Sequence, residues 1–315
     1  MRIVFAGTPH AAVPSLDALH ADHDIVAVLT RPDAPVGRKR ILTPSPVKRR
    51  AEALGLPVLE ADRLRGEVLD RLEELRPDAV AVVAFGAIAG PRALATARLG
   101  WFNLHFSLLP QYRGAAPVQR ALMDGRAETG LTVFRIDTGM DTGPVLLQRS
   151  LPLPRQDAGD VLADFAVTGA GLLREAFALL ASDRAQLTPQ TGEAGHAQKI
   201  DPDEARLDFA HPAAAVLARA RGVSPAPGAW TLLDGRRAKV AGLTEAHAGD
   251  PRPAPGALAA TADGGVVVGS GDGPVRIGRI QPFGKPAREA ADFLRGRPDA
   301  AFDTDLAAQT GDDHE

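Results

Sequence analysis

From residue 1 to about residue 180, short apolar runs alternate with helix-length segments, and that alternation restricts the chain to a few folds. The runs fall at 2–6, 25–30, 79–85, 101–106 and 131–136. Several are continuously apolar rather than alternating, as strands covered on both faces are. The pattern predicts an α/β domain with an open, mostly parallel sheet. Ligands of such sheets bind outside the carboxyl ends of the strands, where Phe85-Gly86, residues 103–110 and a turn around Asp141 all fall. Gly7-Thr8-Pro9 follows the first run, but no Gly-x-Gly-x-x-Gly and no Walker-type loop is present, so neither a nicotinamide site nor a triphosphate cradle is expected.

A long apolar-periodic helix at 157–180 closes this unit. The polar stretch 182–203, with Gln190-Thr-Gly-Glu-Ala-Gly195, reads as a linker. Beyond it a helix is expected at 212–221 with Pro212 in its first turn. Short β-type segments follow at 229–233, 238–241, 256–260, 265–269 and 275–280, separated by turn pairs such as Asp234-Gly235 and Asp263-Gly264. Strands of that length with glycine-rich turns predict a small barrel of the oligonucleotide-binding type. A last short helix is expected at 290–295. The expected organisation is a catalytic domain at 1–185, a linker at 186–205, a barrel at 206–303 and an acidic, disordered tail at 304–315.

The absence of cysteine among 315 residues excludes disulfides, thiolate chemistry and cysteine-bound zinc, and fits a reducing cytosol. The N-terminal apolar run breaks at Gly7-Thr8-Pro9, too early for a signal peptide, and no run reaches the ~20 residues that span a bilayer. A cytoplasmic chain without membrane partners is expected. A formal net charge of -3 argues against nucleic-acid binding over the whole surface but leaves room for a local basic patch.

Strand alternation across Trp101-Phe-Asn-Leu-His-Phe-Ser-Leu-Leu-Pro110 puts Asn103 and His105 on one face and Phe102, Leu104 and Phe106 on the other. An amide donor beside an imidazole at a strand's end suits acyl transfer to an amine, where charge develops on a carbonyl oxygen. A core histidine satisfied by a neighbouring asparagine reads equally well from these two residues. In Thr138-Gly-Met-Asp-Thr-Gly-Pro144, glycines on both sides of Asp141 allow a tight turn that presents one carboxylate; an Asx-turn is the plainer use of such an aspartate. No clustered metal ligands such as His-x-x-x-His are present, and no metal is expected.

Between the second run and the next helix, Arg38, Lys39, Arg40, Lys48, Arg49 and Arg50 occur with no acidic residue among them. Ser45 and Pro46 are the expected N-cap and first residue of that helix, and Gly55 its stop. Cations in the opening turns of a helix oppose its dipole by about 0.3 to 1 kcal/mol each. A solvated basic face is the ordinary explanation; beside a barrel and an acyl-transfer site, contact with a phosphate backbone is the better one, with Arg38, Lys39, Arg40 and Lys48 as the expected contacts.

Taken together, Asn103-x-His105-x-Ser107-Leu-Leu-Pro110, then Arg113-Gly-x-x-Pro117, then Asp141-x-Gly143 resemble the folate-dependent formyltransferases. Within that family the chain looks most like the members that formylate the methionine carried by initiator tRNA. Arg2-Ile-Val-Phe-Ala-Gly-Thr-Pro9, Pro44-Ser-Pro-Val-Lys48, Lys199-Ile-x-x-x-Glu-Ala-Arg206, Pro227-Gly-Ala-Trp230 and Ala291-Asp-Phe-Leu-Arg-Gly296 extend the likeness over nearly the whole chain. The resemblance implies a Rossmann-like formyltransferase domain joined by a linker to a tRNA-binding barrel, 10-formyltetrahydrofolate as co-substrate and initiator methionyl-tRNA as acceptor; a monomer is expected. It implies a folate site that includes Ser107, Leu108, Leu109 and Pro110. Asn103, His105 and Asp141 are the expected catalytic residues: Asn103 is expected to donate to the oxyanion, His105, kept cationic by Asp141, to stabilise its charge and help protonate the departing folate nitrogen, and Asp141 to take the amine proton, directly or through a water. Two departures stand out: Phe85 where the family often has tyrosine, and Ser224-Pro-Ala-Pro227 where it often has Asn-Pro-Trp-Pro. Rival readings are the same transfer to glycinamide ribonucleotide or to an amino sugar nucleotide, a deformylating folate hydrolase, and an RNA-binding protein with a degenerate enzyme domain. The small acceptors leave six loop cations and a second domain without a use.

Overall fold

A computed structural model of the chain describes residues 1–37 and 40–304. The N-terminal half contains nine strands: β1 Arg2–Gly7, β2 Asp24–Thr30, β3 Ala34–Val36, β4 Ile41–Thr43, β5 Val58–Glu60, β6 Ala79–Val83, β7 Gly100–His105, β8 Glu128–Arg135 and β9 Val145–Pro152. Seven of them form one sheet in the order β5-β2-β1-β6-β7-β8-β9. β5, β2, β1, β6 and β7 run parallel, and β8 and β9 add antiparallel. The sheet is the mostly parallel, Rossmann-like one expected.

All five predicted runs are strands. β6 stops at Val83, two residues short of the expectation, because Ala84 takes a left-handed φ of 48° that breaks the ladder. β5 and β9 escaped the sequence reading. β5 has three residues, and seven of the eight residues of β9 are partly or fully exposed, so neither carries a continuous apolar run. Inside the basic loop, β3 and β4 form a small antiparallel hairpin with Pro35 opposite Leu42, where only irregular chain was expected.

The strand order reverses on either side of β1, which opens a crevice at the carboxyl ends of β1 and β6. Gly7 stands at its edge. A Cβ there would lie 2.9 Å from Ala12 Cβ and 2.9 Å from the Phe5 ring, so only glycine lets the chain leave the strand so close to its neighbours. Thr8 Oγ1 then donates to the Phe85 carbonyl at 2.8 Å, joining the two strand ends.

Phe102 and Leu104 face the long helix Ala158–Ala181. The Phe102 and Phe177 rings meet edge to face at 6.1 Å, and a Cβ at Gly169 would lie 2.8 Å from Leu104 Cδ2, so the helix packs tightly against the sheet. On the opposite face Trp101 joins a core with Val4, Leu29, Val82 and Phe85. Burying such side chains contributes roughly 1.5 to 3 kcal/mol each and makes β7 a rigid platform for whatever its rim presents.

The described residues divide into two compact units, Met1–Pro117, Glu128–Pro152 and Val161–Gln198 in one, and Val118–Ala127, Leu153–Asp160 and the chain from Lys199 onwards in the other. The second unit holds two four-stranded antiparallel sheets, β10-β11-β16-β17 and β12-β15-β14-β13. These are built from β10 Trp230–Leu233, β11 Arg236–Ala241, β12 Thr244–Glu245, β13 Leu258–Ala260, β14 Val266–Gly269, β15 Pro274–Arg276, β16 Arg279–Gln281 and β17 Arg288–Glu289. Asp234 and Gly235 both have positive φ, 53° and 68°, the two-residue hairpin turn that their types predict. The expected strand at 275–280 is instead two strands in different sheets. Gly278 N reaches both the Ala241 and Gly242 carbonyls, at 3.2 and 3.1 Å, and Gly242 has a φ of 67°, so the paired strands bend together where neither carries a side chain. Pro212 caps its helix, Ala213–Gly222, from outside rather than in the first turn. The acidic tail expected at 304–315 lies outside the described residues from 305 onwards. Among the described residues, no helix is long and apolar enough to cross a membrane.

Candidate active site

The rim of β7 carries the polar pair that the alternation expected. Asn103 sits between Val82 of β6 and Phe134 of β8 and is partly exposed. Its carboxamide makes no hydrogen bond to any described residue, so its donors are available. His105, two residues on, is buried with a residual exposure of 4 % and packs edge-on against Phe134 at 6.4 Å.

The chain then turns through Ser107 to Gly114. Tyr112 takes a φ of 57°, which a bulky residue holds only when its surroundings impose it, and its carbonyl meets His105 Nε2 at 2.8 Å. A carbonyl only accepts, so Nε2 carries the proton and the neutral ring points an Nδ1 lone pair the other way. On that side stands Asp141, with Oδ2 3.8 Å from Nδ1. This is beyond hydrogen-bond distance but close enough for charge to act. Asp141 has a φ of 54°, and its Oδ2 accepts from Gly114 N at 2.8 Å. The turn that presents it is held by Asp137, whose Oδ1 accepts from Gly139 N at 3.0 Å and Thr142 Oγ1 at 2.6 Å.

Burial pushes the His105 imidazole below the usual histidine range, against the opposing pulls of the Asp141 carboxylate and the Tyr112 carbonyl. Desolvation thus works against the cationic ring expected beside Asp141, while the carboxylate 3.8 Å away works for it.

Of the expected folate segment, Ser107, Leu109 and Pro110 are buried and Leu108 is partly buried. Ser107 Oγ donates to the Gln111 carbonyl at 2.6 Å, so this hydroxyl shapes its own loop. Thr132 of β8 ties the segment down: its Oγ1 donates to the Ser107 carbonyl at 2.7 Å and accepts from Leu109 N at 3.2 Å. Gln148 of β9 donates to Thr132 Oγ1 at 2.9 Å and to the Leu109 carbonyl at 3.0 Å. Leu108 packs where Gly130 has no side chain; a Cβ there would fall 2.4 Å from Leu108 Cδ2. Thr132 and Gln148 were not singled out from sequence, because each is one polar residue in a strand whose partner is known only once the sheet is formed. Phe85 is buried in the core, with 2 % exposure, so the hydroxyl absent there would have been an internal one.

The stretch read as a linker begins as part of this site. Thr188 exchanges hydrogen bonds of 2.9 and 2.8 Å with Val145, Gly195 with Pro110 and Arg113, and Ala197 with Arg113 and Ala116.

In the basic loop, Arg40 is exposed with a φ of 49°, while Arg38 and Lys39 lie outside the described residues. Helix α2, Pro46–Ala53, starts as expected, with Ser45 Oγ accepting from Lys48 N at 2.9 Å. Lys48 Nζ is held between Asp33 at 2.7 Å and Glu60 at 2.8 Å, which raises its pKa, and Arg50 pairs with Asp17 at 2.7 Å. Carboxylates from neighbouring elements offset the dipole, so these cations need no phosphate to explain their placement. Among the described residues, no group of three or more histidine, aspartate or glutamate side chains is arranged to hold a metal ion.

Residues 1–170 match the family model described as formyl transferase, and residues 199–298 the model described as formyl transferase, C-terminal domain. A methionyl-tRNA formyltransferase of Arthrobacter sp. (strain FB24) is 50% identical over 304 residues, covering 94% of this chain and 97% of its own. The chain belongs to the methionyl-tRNA formyltransferase family. The corresponding protein of Leifsonia xyli subsp. xyli (strain CTCB07) is also 50% identical, over 298 residues, with the same coverage. Among solved structures, HypX from Aquifex aeolicus in complex with tetrahydrofolic acid shares the fold, with a TM-score of 0.66 at 17% identity, over 93% of this chain and 47% of that one. As a family member the protein is a formyl-transferring enzyme.

Proposed function

We propose that the protein transfers the formyl group of 10-formyltetrahydrofolate to the α-amino group of methionine on initiator methionyl-tRNA, with Asn103, His105 and Asp141 as its catalytic residues. The neutral amine attacks the formyl carbon, a C–N bond forms, and negative charge collects on the formyl oxygen. Asn103, with its carboxamide donors free, stabilises that oxygen; one such donor contributes about 10²- to 10³-fold in rate. The nitrogen, now positively charged, gives up a proton to Nδ1 of His105. The imidazolium so formed is stabilised by the Asp141 carboxylate on one side and the Tyr112 carbonyl on the other. Breaking the bond between the formyl carbon and the folate nitrogen restores the carbonyl, and the proton held by the pair goes to that departing nitrogen. A free α-amine has a pKa near 7.7 to 8.0, so the nucleophile needs positioning more than activation.

In this reading Ser107, Leu108, Leu109 and Pro110 form one wall of the folate site, with Thr132 and Gln148 keeping that wall in place. Arg38, Lys39 and Arg40 meet tRNA phosphates, and Lys48 pairs with Asp33 and Glu60. Residues 1–185 serve catalysis together with the 186–198 part of the stretch read as linker, which belongs to the same unit, and 206–303 contact tRNA. A cavity of about 270 Å³ in the second unit, lined by Asp157, Pro225, Pro227, Lys239, Arg279 and Gln281, supports that last assignment with two cations against one carboxylate. The enzyme acts as a monomer in the cytoplasm and uses no metal.

The observation that carries the reading is the approach of Asp141 to the unprotonated nitrogen of a buried histidine, at 3.8 Å, on the strand rim that also presents an unpaired asparagine. The test offers 10-formyltetrahydrofolate together with charged initiator tRNA, charged elongator tRNA or glycinamide ribonucleotide. Formylation of the initiator species alone is expected; formylation of glycinamide ribonucleotide, or formate release without an acceptor, would overturn it.

A further inference from the structure

The Asp141 turn does not hold itself. Gln190, in the stretch that the sequence reads as linker, donates from Nε2 to the Asp141 carbonyl at 2.8 Å and to the Gly143 carbonyl at 2.8 Å. Its Oε1 accepts from Arg113 Nη2 at 2.7 Å and Nε at 3.2 Å. The chemistry dictates this orientation: a guanidinium only donates and a carbonyl only accepts, so the amide has one way to face. Both of its N–H donors and its oxygen are engaged.

The partners of Gln190 are the residues that hold the candidate proton acceptor. Asp141 is the residue opposite His105, and Arg113 lies between Tyr112, whose carbonyl meets His105, and Gly114, whose N–H meets Asp141. The hairpin itself is already closed without Gln190, by the β8–β9 ladder, by Arg135 N on the Pro144 carbonyl at 2.9 Å, and by Asp137 within the turn. What Gln190 adds falls on the two carbonyls around the left-handed Asp141.

We propose that Gln190 is a positioning residue for the transfer: oriented by Arg113, its carboxamide fixes the Asp141 backbone and so sets where the carboxylate stands relative to His105. This rests on the reading of Asp141 as a member of the catalytic group. Displacing a reacting group by about 1 Å costs up to about 10²-fold in rate, so the effect belongs in kcat.

Gln190→Ala removes the clamp. Gln190→Glu keeps its length and its acceptor for Arg113 but, once ionised, cannot donate to either carbonyl. Both variants are expected to lose about ten- to a hundredfold in kcat, with the Michaelis constants for both substrates within about threefold and the thermal midpoint nearly unchanged. In an Asp141→Asn background either substitution should cost nothing more, because it acts through the group already removed. A wild-type kcat in Gln190→Glu, or losses that multiply in the double variant, would overturn the proposal. Should Gln190→Ala fail to fold, Gln190→Glu carries the comparison. Asp141→Asn measured alone keeps the two readings apart: a wild-type rate there refutes the role of Asp141, whereas a collapsed rate beside an intact Gln190→Glu enzyme refutes only the clamp.

Discussion

His105 and Asp141 face each other across 3.8 Å, with the histidine proton committed to the Tyr112 carbonyl on the far side of the ring. Burial lowers the pKa of that imidazole, and the carboxylate opposite raises it. A buried neutral imidazole between a carbonyl and a carboxylate becomes a better base as positive charge approaches, and an ammonium formed on an attacking amine supplies such charge.

Asp141→Asn should leave the fold and folate binding nearly intact and reduce turnover by about 10²- to 10⁴-fold, the range for a positioned proton acceptor. The asparagine can still accept from Gly114 N, so the turn survives while the charge is lost. Single-turnover rates beside a folate titration check this; a wild-type rate would remove Asp141 from the reaction.

The buried imidazole also makes stability depend on pH. Because folding lowers its pKa below the ordinary 6.5, the unfolded chain takes up a proton first as pH falls. Above that value both states carry a neutral ring and the linkage is silent; below it the folded state loses ground. His105→Gln should flatten the fall of the urea midpoint in the window below about pH 6.5. His23, whose pKa is also lowered by burial, is present in both proteins, so the difference isolates His105. Identical slopes would mean that the histidine is solvated.

Thr132→Val keeps the shape of a buried side chain but leaves Leu109 N and the Gln148 amide without their acceptor and the Ser107 carbonyl without its donor. One buried group left unsatisfied costs about 1 to 3 kcal/mol. The variant should unfold at lower urea and bind folate more weakly, read by denaturation and by titration. Unchanged folate affinity would separate the Ser107–Pro110 wall from the cofactor site.

Neutralising Arg38, Lys39 and Arg40 together should raise the Michaelis constant for tRNA and flatten its salt dependence by up to about three counterions, without changing folate binding. An unchanged slope would return the loop to an ordinary solvated basic face. Ile41 and Leu42, next in the chain and exposed at 63 % and 66 %, are unchanged in the triple variant, so it tests charge with that apolar surface left in place.

Much of the scaffold was legible in the order of residue types. Apolar runs of strand length marked five of the seven strands of the central sheet, and Ser45-Pro46 and Asp234-Gly235 marked a helix start and a hairpin turn, because those features depend on local backbone preference. β5 and β9 were not legible, because what makes them strands is the neighbour they pair with. The same division runs through the candidate site. Strand alternation put Asn103 and His105 on one face, and the glycines around Asp141 marked a turn. The approach of that turn to His105 is set by contacts spanning tens of residues in sequence, from Gly114 to Asp141 and from Gln190 to both Asp141 and Gly143.

The sequence by itself determined the α/β pattern, the polar face of β7 and the family likeness, since each is written in residue types at short range. Tertiary structure alone decided that His105 is buried between the Tyr112 carbonyl and Asp141, that Lys48 is occupied by Asp33 and Glu60, and that a segment resembling a linker holds the Asp141 turn. Desolvation and long-range hydrogen bonding make those decisions, and both depend on which groups the fold brings together.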